Sequence, residues 1–265
     1  MPFAFRTTFV AILAFGLMAQ PALAQERALA FSLTTGARVG PAYPGAGENS
    51  LRPMGALGLT GVQFGAFTRG QPDGPSAGPS AGPASLAPGT GIRGAFRMIA
   101  PRAGTGALAG MDDLGRAIEL GLGLHHTRQN WQIYGEMRYG AIGHRGVAGA
   151  LGANLIWRSE TGQILHGGPR AEFGNARYAR SYFGVTQAES ARSATFAPYQ
   201  PGGGLQSVGV ELGAYQPLSP EWGIAGSLRF DRLRGDAALS PIVQQGSRAQ
   251  LTSQIGLTRH FNLRF

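Results

Sequence analysis

The chain has 265 residues, a formal net charge of +9, 43% hydrophobic but only 14% charged residues, and no cysteine. An ordinary soluble domain carries about 25% charged residues, so the composition argues against one, and the missing cysteines exclude disulfides and thiolate metal sites. No stretch approaches the roughly 18 unbroken apolar residues of a membrane helix, so a place in a membrane requires strands.

Arg6, the apolar run Phe9 to Met18 and the small-x-small Ala22-Leu23-Ala24 read as an export signal (1–24), with the mature chain starting at Gln25. Its apolar core is about ten residues, half of a spanning helix, and no Cys follows to accept a lipid. Arg6 is the signal's one charge, leaving +8 on residues 25–265. Those residues read as one domain, with chain for about ten to twelve strands. The basic balance suits a cationic lumen ahead of a surface for lipopolysaccharide phosphates.

Leu29, Phe31, Leu33 and Val39 alternate with Ala30, Ser32, Thr34 and Arg38 as a first strand, followed by turn residues Pro41 to Ser50. Leu51 to Thr60 and Val62 to Arg69 read as two strands joined by a tight turn near Gly61. Residues 71–91 form a low-complexity Pro/Gly/Ala/Ser loop. In the next strand Ile92, Phe96 and Met98 oppose Arg93 and Arg97, which cannot face lipid, where Arg costs about 2–4 kcal/mol at the midplane. Leu114 to His125 follows, then a strand whose Trp131 and Tyr139 can mark the two membrane interfaces.

Val147 to Trp157 and Ile164 to Phe173 continue the alternation up to a long aromatic loop, 174–204. Val208, Val210 and Leu212 then oppose Glu211 and Tyr215, and Trp222, Ile224, Leu228 and Phe230 oppose Ser227, Arg229 and Asp231. The last strand places Leu251, Ile255, Leu257, Phe261, Leu263 and Phe265 on one face, and the terminal aromatic Phe265 reads as a C-terminal insertion signal. A strand in hydrocarbon must give every backbone N–H and C=O to a neighbour, so the pattern predicts an all-β, antiparallel transmembrane β-barrel. The count is eleven, whereas single-chain bacterial barrels have even numbers. A further strand between Ala103 and Gly110 or inside the long loop would give twelve; merging the early pair would give ten.

Five motifs have a bland explanation. The Gly-x-Ser-x-Gly copies at Ser76 and Ser80 lie in low-complexity sequence with no helix after them, and Gly89-Thr90-Gly91-Ile92-Arg93-Gly94 leads into a strand rather than a phosphate-binding helix. His125 and His126 point to opposite faces and cannot share one metal ion. Asp112 and Asp113 read as turn carboxylates without a basic partner nearby in sequence, and Arg234-Gly235-Asp236 as a chance RGD tripeptide.

Nearly the whole mature chain resembles the family of the MltA-interacting protein and outer-membrane protein V. The resemblance is carried by Gly40-Pro41-Ala42-Tyr43-Pro44-Gly45 with Leu51-Arg52-Pro53, by Gly110-Met111-Asp112-Asp113-Leu114, and by Leu233-Arg234-Gly235-Asp236-Ala237 with Ser240-Pro241. Its strongest segment runs from Tyr178 to Ser193, through Ser181-Tyr182-Phe183-Gly184-Val185-Thr186 and Glu189-Ser190-Ala191-Arg192-Ser193, with Tyr199 downstream. The 71–91 tract departs from the family pattern. The resemblance implies a non-enzymatic barrel of the Gram-negative outer membrane. Its best-known member is described as a scaffold joining a murein lytic transglycosylase to a penicillin-binding murein synthase. Other members are discussed as adhesins or as barrels linked to permeability and antibiotic response.

The expectation is therefore a monomeric anchor in outer-membrane lipid and lipopolysaccharide, without catalytic residues, metal, cofactor or nucleic-acid partner. Tyr178, Tyr182, Phe183, Gly184, Val185, Arg192 and Tyr199 are candidates for either a partner surface or a lumen plug. A small pore favouring anions through lumen-facing Arg93, Arg97 and Arg229 is the competing class. A barrel enzyme ranks last, since no acid, base and nucleophile stand together.

Overall fold

The structure, a computed structural model, describes residues 27–64, 67–70 and 88–264, with side chains for 30–56 and 88–264. The leader, residues 71–87 of the low-complexity tract and Phe265 lie outside the described residues. The strands are β1 Arg27–Pro41, β2 Asn49–Phe64, β3 Phe67–Gly70, β4 Gly89–Ile99, β5 Ala117–Thr127, β6 Trp131–Ile142, β7 Val147–Arg158, β8 Ile164–Gly174, β9 Gly204–Pro217, β10 Trp222–Leu233 and β11 Ala249–Arg264. They form one sheet in the order β3-β2-β1-β11-β10-β9-β8-β7-β6-β5-β4. Except for β3 and β4, strands consecutive in the chain pair antiparallel, and β1 joins β11, with Leu33 opposite Arg259 and Val39 opposite Ser253. This is the meander of an up-and-down barrel wall. Among the described residues its free edges are β3 and β4. Every step between them is antiparallel and their number is even, so these two strands run the same way, whereas β2 opposes β4. Antiparallel closure consequently needs an even count, ten with β2 against β4 or twelve.

The alternation has the sense expected in lipid. Met137 and Leu122 are each 66% exposed and Leu155 76%, while Glu119, Gln132 and Thr258 on the opposite face are 0% exposed. A soluble sheet would bury the first set. Trp131, Trp157 and Trp222 all stand where strands meet the connections 128–130, 159–163 and 218–221, and Arg259 lies 5.2 Å above the Trp222 ring. Tyr139, Phe173 and Phe230 stand at the other end. The outer wall thus has two aromatic girdles.

Four expectations need correction. No turn occurs at Gly61: β2 continues to Phe64 because backbone pairing with β1 persists there, Ala28 facing Gln63. Gly89 to Gly91 belong to β4, held by β5, not to the preceding loop. No strand fills 103–110, where a 3-10 turn spans Gly106–Leu108, and β5 starts only at Ala117, Leu114 making an isolated bridge to Arg102. The 174–204 segment is not structureless. It carries α1 Ala176–Phe183 and α2 Gln187–Arg192, matched in the 234–248 loop by α3 Gly235–Leu239 and α4 Pro241–Gln245.

The two ends differ. Among the described residues one has the short turns 128–130, 159–163 and 218–221; the other has the connections 42–48, 100–116, 143–146, 175–203 and 234–248. In outer-membrane barrels short turns face the periplasm and long loops the exterior, which orients this wall.

Candidate functional site

The inner face of the outer half holds a charge network drawn from five strands. Glu172 on β8 is its centre, accepting from Arg97 of β4 at 3.3 Å, Arg138 of β6 at 3.2 Å and Arg229 of β10 at 2.9 Å. Those arginines approach one carboxylate from both sides only because the wall curls round it. Arg138 also donates through Nε to Glu119 at 2.8 Å and pairs with Glu136, which Arg93 approaches at 3.4 Å. Arg229 donates to both oxygens of Asp231, at 2.6 and 2.9 Å. Burial makes each charge costly alone, so the network holds as a unit.

His144 closes this network at the top. Its Nδ1 accepts the Gly146 N–H at 2.9 Å, so Nε2 carries the proton and meets Glu119 at 3.1 Å. Both ring nitrogens are engaged, and the rings of Tyr178 and Tyr182 pack edge-on at 5.1 and 5.5 Å. Burial raises the pKa of both phenols, so they stay neutral.

Above it sits a two-layer apolar cap. The lower layer joins wall residues Ile99, Ala117, Ala148 and Leu233 to Tyr178, Tyr182 and Phe183 of α1 and to Ala237 and Val243 of α3 and α4. The upper layer collects Tyr43, Leu108, Met111, Val185, Phe196, Tyr199 and Ile242 from the loops 42–48, 100–116, 175–203 and 234–248. α1 forms because Asn175 caps it, accepting the Tyr178 N–H at 3.0 Å, and because Tyr178, Ala179, Tyr182 and Phe183 fall on one helical face. Thr186 and Glu189 form a reciprocal capping box on α2, and Pro241 occupies the first turn of α4.

Polar contacts lock the loops together. Glu189 accepts the Asp112 N–H at 3.1 Å, Arg192 pairs with Asp112, and buried Arg102 donates to the Tyr182 carbonyl at 3.1 Å. Ser240 donates to the Phe183 carbonyl at 2.7 Å and Tyr199 to the Asp236 carbonyl at 2.8 Å. Gly110 needs its glycine: φ is +92°, and a Cβ would lie 2.8 Å from the Arg192 backbone. Burial works against ionisation of Glu189, but the Thr186 and Asp112 N–H groups outweigh it and hold the carboxyl below its ordinary value.

The sequence candidates therefore fall into two groups. Tyr178, Tyr182, Phe183 and Val185 are cap interior, Gly184 ends α1, and Arg192 and Tyr199 tie loops. Arg93, Arg97 and Arg229 face the lumen, each paired with a carboxylate. Asp112, without a basic partner nearby in sequence, is paired by Arg192 from a distant loop, and Asp113 accepts a turn N–H, from Gly104 at 2.7 Å. Asp236 of the RGD tripeptide is engaged too, accepting the Gly202 N–H at 2.6 Å. Sequence reading puts Glu119 on the polar face without its partners, and does not single out Glu172, His144 or Glu189. The last was legible as Thr186-x-x-Glu189, a helix-start signal; the others depend on partners far away in the chain.

Comparisons with solved structures give outer-membrane proteins of similar extent. The Pseudomonas aeruginosa outer membrane protein OprG is 10% identical, covering 89% of this chain and 97% of its own, with a TM-score of 0.28. The Escherichia coli outer membrane protease OmpT is 10% identical, covering 90% and 97%, with a TM-score of 0.29. P. aeruginosa OprD is 10% identical, covering 91% and 95%, with a TM-score of 0.24. No curated protein matches the chain. With likenesses this distant, the barrel description rests on the strand pairing itself. A family model matches residues 33–261, from the first strand into the last, and the chain, an outer-membrane β-barrel protein, belongs to the family described as MltA-interacting protein MipA.

Proposed function

We propose that the protein is a non-enzymatic, non-conducting, monomeric barrel that anchors enzymes of murein turnover and synthesis at the outer membrane. The observation that carries this reading is the filled outer half: Arg93, Arg97 and Arg229 are bound to Glu136, Glu172 and Asp231, and the loops 42–48, 100–116, 175–203 and 234–248 interlock above them. A barrel so built offers its ends as surfaces rather than its lumen as a passage. The family description, MltA-interacting protein, supports a murein enzyme as partner. Murein lies on the periplasmic side, so the partner contact belongs to the short turns 128–130, 159–163 and 218–221. The motif residues Tyr178 to Tyr199 lie at the opposite end and serve the cap.

Capture from an envelope extract by the purified full chain tests this. A murein lytic transglycosylase or a penicillin-binding murein synthase should be enriched, and replacing turns 128–130, 159–163 and 218–221 by Gly-Ser linkers should abolish the enrichment. Retention by that folded variant, or no enrichment of either enzyme, defeats the proposal.

A further inference from the structure

We infer that the outer rim beside α4 is a binding site for the phosphate of an outer-leaflet lipid of the lipid A class, held by Arg232 and Arg248. The inference rests on the exterior orientation of the long loops. Strand alternation puts Arg232 on the lipid-facing side of β10, two residues beyond outward Phe230, while Leu233 turns into the cap. Arg248 stands at the same level, because its carbonyl accepts the Leu233 N–H at 2.8 Å and Ala249 pairs with Arg232. Both side chains are exposed and neither forms an ion pair among the described residues, in contrast to Arg93, Arg97 and Arg229 in the lumen.

Together with Phe230, Val243, Gln244 and Ser247 they line an open pocket of about 700 Å³. No carboxylate lines it. Below lies an apolar wall of Val210, Leu228 and Leu251, each about half exposed. A guanidinium pair above such a wall fits a phosphate headgroup with acyl chains descending along the barrel. The chain has no lysine, so all 23 of its Lys and Arg residues are the bidentate, weakly hydrated kind that suits phosphate oxygens. The same end carries exposed Arg116, Arg145, Arg177 and Arg180, also without an ion pair among the described residues, so an anionic leaflet meets a basic rim.

The test uses the full chain in detergent, with folding checked by heat-modifiable gel migration. Four probes are titrated: bis-phosphorylated lipid A, the same lipid dephosphorylated, inorganic phosphate, and phosphatidylglycerol vesicles. Lipid A should bind at least tenfold more tightly than its dephosphorylated form, and at least tenfold more tightly to the native chain than to folded R232A/R248A. Equal binding by that variant overturns the site. Inorganic phosphate binding as tightly as lipid A reduces it to a simple anion site, and vesicle binding equal to lipid A reduces it to a general anionic-lipid contact; either overturns the assignment. Loss of lipid A binding in Arg259→Ala, at the opposite end, with retention in R232A/R248A, overturns the orientation as well. Murein-enzyme capture is read separately, so failure here leaves the anchor proposal standing.

Discussion

Arg138 on β6 donates through Nε to Glu119 on β5 at 2.8 Å, and the two side chains are 3% and 0% exposed. They hold the base of the cap, since the other Glu119 oxygen meets His144, on which Tyr178 and Tyr182 pack.

Breaking this pair from one side takes the Nε acceptor from Arg138 and the carboxylate partner from His144, while Glu136 and Glu172 still hold the guanidinium. Glu119→Gln should destabilise the protein by about 1.5–3 kcal/mol, whereas the paired replacement E119L/R138M should cost less, because Arg93, Arg97 and Arg229 still serve Glu136 and Glu172. Urea unfolding followed by tryptophan fluorescence gives both values, and equal losses would contradict the pair's role.

The cap should loosen in acid through Glu189. Its folded carboxyl titrates below the ordinary value, so its contribution is complete above the unfolded pKa of about 4.3 and is lost as pH falls through the folded one. Protease cleavage within 186–192 should rise below about pH 4. Glu189→Gln should be cleaved more readily at pH 7 and lose the pH dependence. Thr186→Ala should weaken α2 by about 1 kcal/mol without removing it.

Gly110→Ala should cost roughly 1–3 kcal/mol, combining a left-handed backbone with contact against the Arg192 main chain. Thermal melting of the cap, read by proteolysis of 175–203, should shift down while the wall still migrates as a folded barrel on gels.

In planar bilayers the native chain should be electrically silent. Replacing 234–248 by a Gly-Ser turn, which removes α3 and α4, together with Glu172→Ala, which leaves three arginines without their shared acceptor, should open an anion-selective path. Steady current from the native chain would favour the pore instead.

The wall was legible in the sequence because a strand's inside and outside alternate at every residue. Leu122 and Leu124 could be sorted from Glu119 without knowing any partner, and the chain order of strands then followed from short polar turns. The early Gly61 turn was misplaced because glycine signals a turn locally, while pairing with β1 decides whether the strand continues. In 174–204, Thr186-x-x-Glu189 and the apolar face of α1 were present, but helices this short are marginal alone and form where tertiary contacts bury them.

What residue order settled alone is the two-sided strand, lipid on one face and polar lumen on the other, since that depends on nothing beyond a period of two. What the tertiary structure decided is how the inner charges are used. Glu172 draws together arginines on strands far apart in the chain, and Glu189 fastens a loop nearly eighty residues away, as Asp112 and Arg192 also show. Such contacts exist only after the sheet has curled, because curvature, not sequence distance, brings those side chains within hydrogen-bonding reach.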